Sequence, residues 1–353
     1  MKKKILLTAV LAFAGSSLAQ EKTLSLKISQ PMELYGAITG GYFYTTNEGN
    51  RDSQDAFRLT NVVVGLSGGG DKVSFDLAVG TLLAPSVWDG GVNNSMISYT
   101  NGSSVSNEAG ILWGYVTLSP MNRISVDVGY LTTNVGAEVI NTYANKNITL
   151  GAVWYAQPVI YPGVRVNFQL NEDISLYAEY NNDAISPRAE AYAVGSLGSL
   201  AGIDYALTYY DYTGFKNFID VVLGYSLGTL EIGLNLDYQW LDSSAKSSGQ
   251  DDTAYGLAVF ITPSFKDISV PVRFEYFDEG TSGIYFTPDF NGDGTPDAYA
   301  EKGFSFTVTP TYKPTENSFV RAELSYVSAD NKVFKNGNED NKTTVAVELG
   351  FTF

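Results

Sequence analysis

Apolar and polar residues alternate along this chain with a period of two. The clearest case is the last ten residues, Thr344 to Phe353. Val345, Val347, Leu349, Phe351 and Phe353 share one parity, and Thr344, Ala346, Glu348, Gly350 and Thr352 share the other. Such alternation marks a strand between two different environments. An apolar face toward lipid, a small or polar face toward a lumen and an aromatic at the boundary fit a strand of an outer-membrane barrel better than the edge of a soluble sandwich.

The same pattern recurs from Glu33 onward. It predicts sixteen strands of roughly 9–13 residues, a length suited to tilted membrane strands: 33–46, 57–67, 72–83, 110–118, 123–132, 163–170, 174–181, 187–196, 201–213, 217–227, 229–241, 253–262, 268–277, 303–312, 317–328 and the closing strand. Leu230, Ile232, Leu234, Leu236, Tyr238 and Trp240 alternate without fault against Glu231, Gly233, Asn235, Asp237 and Gln239. Strands eight to ten alternate weakly, so fourteen and eighteen strands are the alternatives. Expected turns include Gly68-Gly69-Gly70-Asp71, Ser119-Pro120-Met121-Asn122, a turn around Gly198, Pro263 to Asp267 and Lys313-Pro314-Thr315-Glu316. Long connections are expected at 47–56, 84–109, 133–162, 278–302 and 329–342. Long and short connections take turns along the chain, so one end carries tight turns and the other long loops. This is the asymmetry of an up-and-down transmembrane β-barrel with short periplasmic turns and long outer loops. An even strand count puts both ends of the barrel segment on the periplasmic side. Tyr42, Tyr44, Trp113, Tyr130, Tyr209, Trp240, Tyr276 and Phe353 are expected in aromatic girdles.

The amino terminus differs from the rest. Lys2-Lys3-Lys4, the apolar run Ile5 to Ala14 and the small residues Ser17 and Ala19 read as a signal peptide cleaved after Ala19. Residues 20–32 form a short lead, too small for a plug, and 33–353 form the barrel. Outside the amino terminus no apolar run is long enough for a membrane helix.

Composition narrows the chemistry. There is no Cys and no His, which removes disulfides, thiolate metal sites, Cys nucleophiles and the commonest general base. The formal net charge is −16, and becomes more negative once the three signal-peptide lysines are gone. Such acidity argues against nucleic acid as a partner. Parity places Asp76, Asp127, Glu231, Asp237, Glu275, Glu323 and Glu348 on the lumen side against Arg273 and Arg321, an excess of acid that favours cations.

The third long connection contains Glu138, Lys146, Trp154, Tyr155 and Tyr161. In sixteen-stranded porins the third outer loop commonly enters the lumen. Here Gly129-Tyr130-Leu131-Thr132-Thr133-Asn134-Val135-Gly136-Ala137-Glu138 resembles the Gly-x6-Gly-x-Glu stretch of the β-barrel porin type 2 (OmpL-like) family. Gln157-Pro158-Val159-Ile160-Tyr161-Pro162-Gly163-Val164-Arg165 resembles its Pro-then-Gly-Val-Arg stretch. The resemblance covers roughly 110–181. Tyr130 and Pro162 stand where the family often has Lys and His. It implies an outer-membrane channel of unassigned solute. Glu138 and Arg165 are expected either to line the constriction, setting a transverse field across it, or to pair locally.

Asp289-Phe290-Asn291-Gly292-Asp293-Gly294-Thr295-Pro296-Asp297 spaces oxygen donors as the first part of a Ca²⁺ loop does, with Gly294 at the sharp turn. Asp289, Asn291, Asp293 and Asp297 would ligate through side chains and Thr295 through its carbonyl. Ala300 stands where a bidentate Glu would complete an EF-hand. The plain reading is an Asn/Gly turn.

The expectation is an outer-membrane porin for small hydrophilic solutes and ions, not an enzyme. Its other partners would be membrane lipid, the barrel-assembly machinery through the closing strand, and two copies of itself in a homotrimer. The alternative is a structural or adhesive barrel acting through its surface loops.

Overall fold

A computed structural model describes residues 31–94, 96–100, 104–105, 109–182 and 190–353. The expected signal peptide and most of the lead lie outside the described residues. The chain forms a closed antiparallel barrel of sixteen strands. They are β1 (Met32–Glu48), β2 (Arg51–Gly69), β3 (Val73–Leu82), β4 (Gly110–Met121), β5 (Ile124–Thr132), β6 (Ile160–Gln169), β7 (Ile174–Asn182), β8 (Glu190–Leu200), β9 (Ile203–Tyr212), β10 (Lys216–Leu227), β11 (Leu230–Leu241), β12 (Thr253–Phe265), β13 (Ile268–Ser269 with Val272–Gly280), β14 (Glu301–Val308 with Thr311–Thr315), β15 (Ser318–Ala329) and β16 (Asn341–Thr352). Each strand pairs with the next in sequence, and β16 pairs with β1 from Ala37↔Thr352 to Thr45↔Thr344. The seam is completed by the Gly36 and Phe353 backbones, which exchange hydrogen bonds of 3.0 and 3.1 Å. The ring of Phe353 lies where a Cβ on Gly36 would sit, so glycine is what lets the terminal aromatic cover the joint.

Alternation follows the expected parity on most strands. Val345, Val347, Leu349, Phe351 and Phe353 are exposed on the outside, while Thr344 and Glu348 are buried inside. The outer band carries aromatics near the loop end, among them Tyr209 and Tyr238, each in ring contact with Trp240, and Phe265 and Phe353 at the turn end. Trp113 does not belong to this girdle. A register shift against Ala78/Val79 in β3 places a bulge in β4, so Leu112 and Trp113 both turn inward and are buried.

Several expected turns are strand. Residues 47–56 are mostly β1 and β2, joined by a turn at Gly49 and Asn50. Gly198 pairs within β8, and the chain reverses instead at Ala201 and Gly202, both with positive φ. Pro120, Pro263 and Pro314 also lie within strands. Two other prolines, Pro271 and Pro310, interrupt β13 and β14; proline has no N–H for the ladder. Strand β10 alternates weakly because Phe218 and Val222 face the lumen with Asp220 while Ile219 and Leu223 face out.

Candidate functional site

The outer connection 133–159, between β5 and β6, folds into the barrel instead of standing above it. It contains a short 3-10 turn at Thr142–Ala144 and a single helical turn at Ala152–Tyr155. Its apolar side chains reach different sectors of the wall. Ile140, Leu150 and Trp154 pack with Val63, Ala78, Leu112 and Leu131 of β2 to β5. Val135 joins Tyr177, Tyr210 and Phe218 of β7 to β10. Ile148 joins Phe43 of β1 and Ala346 of β16, and Ala152 and Ala156 join Ala254, Phe277 and Val327 of β12, β13 and β15. The loop thus crosses the lumen and narrows it from every side.

Irregular backbone inside a barrel needs partners for its N–H groups, and wall carboxylates supply them. Glu275 accepts from Ala152 N and Val153 N, both at 3.0 Å. Glu323 accepts from Ile148 N, from Thr149 N at 2.9 Å and from the Thr149 hydroxyl at 2.6 Å. Asp220 accepts from Gly136 N at 3.0 Å. The loop's own Glu138 accepts from Gly151 N at 2.9 Å and pairs with Arg273 at 2.5 Å. Arg273, fully buried, also lies 3.2 Å from Glu275 and donates to the Thr149 carbonyl at 2.7 Å. Arg321 pairs with Glu348 and donates to the carbonyls of Thr142 and Asn145 at 2.7 and 3.0 Å. The Gln157 amide donates to Asn235 and to both oxygens of Asp237, each at 3.1 Å.

Charge in this latch is unevenly balanced. Two carboxylates, Glu138 and Glu275, share the one guanidinium of Arg273. Burial pushes the Glu138 carboxyl up to about 7, with the Glu275 charge adding to the rise and Arg273 opposing it.

Nine charged residues expected from sequence in the lumen wall or around the third long connection fall into three groups. Glu138, Arg273, Glu275, Arg321 and Asp237 hold the inserted loop. Arg165 is buried beside the loop's entry, where it pairs with Glu179 at 2.6 Å and donates to the Thr132 carbonyl at 2.7 Å; it does not meet Glu138. Lys146 and Glu231 form an exposed pair of 2.6 Å under the loop, and Asp127 accepts from Thr117 and Asn167 at 2.7 Å each. Sequence reasoning did not single out Glu179, Asp220, Asn235 or Gln157. Asp220 and Asp237 are direct cross-strand neighbours, a juxtaposition visible only once the register of β10 against β11 is known.

Other outer segments reinforce the insert. Ser86 and Leu150 form a parallel bridge, and Arg58 donates to the carbonyls of Val92 and Asn94. Trp88 stacks on Phe286 with centroids 4.4 Å apart, and Phe334 lies beside both. In the acidic turn, Asp289 accepts from Gly292 N and Gly294 N at 2.7 Å, and Asp293 from Thr295 N at 2.8 Å. Among the described residues no three Asp, Glu, His or Cys side chains converge as a metal site.

Residues 31–353 match the family described as "Putative beta-barrel porin-2, OmpL-like". The chain belongs to this family. Solved outer-membrane proteins share the porin architecture at low identity. The outer membrane channel DcaP of Acinetobacter baumannii has a TM-score of 0.60 at 14% identity, covering 93% of this chain and 99% of that one. An anion-selective porin from Comamonas acidovorans has 0.60 at 12%, covering 92% and 100%. The trimer form of in-vitro folded OmpT from Vibrio cholerae has 0.57 at 11%, covering 92% and 100%. No curated protein matches this porin-family chain in sequence.

Proposed function

We propose that this outer-membrane barrel is a passive diffusion porin of restricted aperture, cation-preferring and without catalytic activity. The observation that carries the reading is the loop 133–159, held inside a sixteen-stranded wall by buried side chains from β10 to β16. Such an insert sets how large a solute can pass. Cation preference draws on the charges left accessible under the loop: Asp204 and Glu231 are exposed, Asp76 and Asp127 half-buried, and Lys146 is exposed among them. The acids that hold the loop do not contribute in the same way, because each is buried against Arg273, Arg321, backbone N–H groups or, for Asp237, the side-chain amides of Gln157 and Gln239.

The proposal extends to export by a signal peptide cleaved after Ala19, to insertion through the closing strand and to a homotrimer, the assembly named for the Vibrio cholerae neighbour. It also takes the turn 289–297 as a Ca²⁺ loop that stiffens the outer rim. The alternative, a structural barrel acting through its outer loops, draws on the packing of Trp88, Phe286 and Phe334, which ties three loops into one surface.

The test is single-channel current in a planar bilayer under a KCl gradient. Discrete steps, closing in threes for a trimer, with a reversal potential of cation-selective sign are expected. A folded, heat-modifiable barrel that passes no current would overturn the porin reading in favour of the structural one.

A further inference from the structure

Beneath the inserted loop, on the β1 to β4 side, a cleft of about 410 Å³ opens at the short-turn end of the barrel. Its lining includes Glu33, Ser67, Ser74, Asp76, Tyr115 and Thr117, and among the described residues no lysine or arginine. Asp76 is the unusual member. Its Oδ1 accepts from the Tyr35 hydroxyl at 2.5 Å and from the Trp113 indole N–H at 2.8 Å. Trp113 also lies 3.2 Å from the Tyr35 oxygen. Both donors are neutral groups. Oδ2 has no protein hydrogen-bond donor among the described residues. Asp127, the neighbouring acid, has both oxygens occupied.

The surroundings of Asp76 are aromatic. Tyr35 pairs across the ladder with Gly65, and a Cβ on Gly65 would come within 2.1 Å of the Tyr35 ring. The ring therefore lies flat over the glycine against the wall. Tyr115, and Tyr143 from the inserted loop, pack on the same cluster as Tyr35 and Trp113. The β4 bulge is what brings Trp113 inward to hold Asp76.

We propose that this cleft is a binding site for an organic ammonium ion, taken up at the turn end of the channel. A carboxylate with one oxygen fixed and one open supplies the counter-charge, and Tyr115 in the lining supplies a π face for the alkyl-ammonium head. The cleft is far larger than an inorganic ion needs, and the Tyr115 ring beside the carboxylate rewards an alkyl-ammonium head over a hydrated ion. The site rests on the porin reading for its role: the ammonium ion would be cargo held on its way through.

The experiment titrates the detergent-folded full barrel with tetramethylammonium chloride at constant ionic strength, NaCl making up the difference, and reads tryptophan emission. A saturable change is expected, absent in Trp113→Phe. Its half-saturation should rise about ten-fold or more in Asp76→Asn, the size of losing one charge-assisted contact. Tyr115→Leu should weaken it as well, and decides the matter if Asp76→Asn does not fold. No saturable change in the wild type, or unchanged affinity in the folded variants, would overturn the site. Potassium current measured on the same preparation separates the two readings. Current without an ammonium response removes the site and leaves the porin; a response without current leaves the site and removes its role in transport.

Discussion

Glu138 sits where loop, charge and burial meet, and its titration should be measurable. In the unfolded chain its carboxyl titrates near 4.5, in the folded barrel near 7. Between those values the folded state holds the extra proton. The stability this group contributes is therefore complete below about pH 4.5 and is lost as pH rises through about 7. The thermal midpoint of the detergent-folded barrel should fall between pH 5 and pH 8, and Glu138→Gln should flatten that fall; parallel curves for the two proteins would contradict it. At this scale the sequence was only half legible. Parity placed Asp237, Arg273, Glu275 and Arg321 inside, because a strand side chain has only two directions to choose between. It could not reveal that their partners are backbone and side-chain atoms of a loop far away in sequence, so acids expected to attract cations serve largely to hold the insert. Trp113 was misplaced for a local reason: one extra residue at a bulge reverses parity and leaves no trace in composition.

Among the elements, strands were far more legible than connections. All sixteen were expected in order, since each repeats the same alternation, and the structure moves most ends by only a few residues. The errors cluster at glycine and proline. Gly198, Pro263 and Pro314 read as turns, yet each sits inside a strand, close to where the chain reverses. The loop 133–159 shows the opposite weakness. Its entry into the lumen was expected from barrels of this size, but its path across to every sector depends on contacts that no local pattern encodes. The acidic turn 289–297 is a case where the local pattern is all there is. Both oxygens of Asp289 and one of Asp293 already accept N–H groups of their own loop, which leaves Asp293 Oδ2 open among the described residues. Calorimetric titration with Ca²⁺ should show binding that Asp293→Ala abolishes; a flat titration of the wild-type barrel would reduce the segment to a turn.

The whole molecule is a ring of neighbours. Strand β1 meets β16 through nine register pairs, as firmly as sequence neighbours meet each other, and the Phe353 ring covers Gly36 at the joint. A ring so closed has no preferred beginning. The order in which the ribosome delivers the strands is then separable from the order in which they stand. A circular permutant, with Phe353 joined to Pro31 by a short flexible linker and new ends opened in the exposed connection 242–252, should still fold to a heat-modifiable barrel of the same strand order. If it does not, the natural seam has a role in assembly that its place in the finished ring does not reveal.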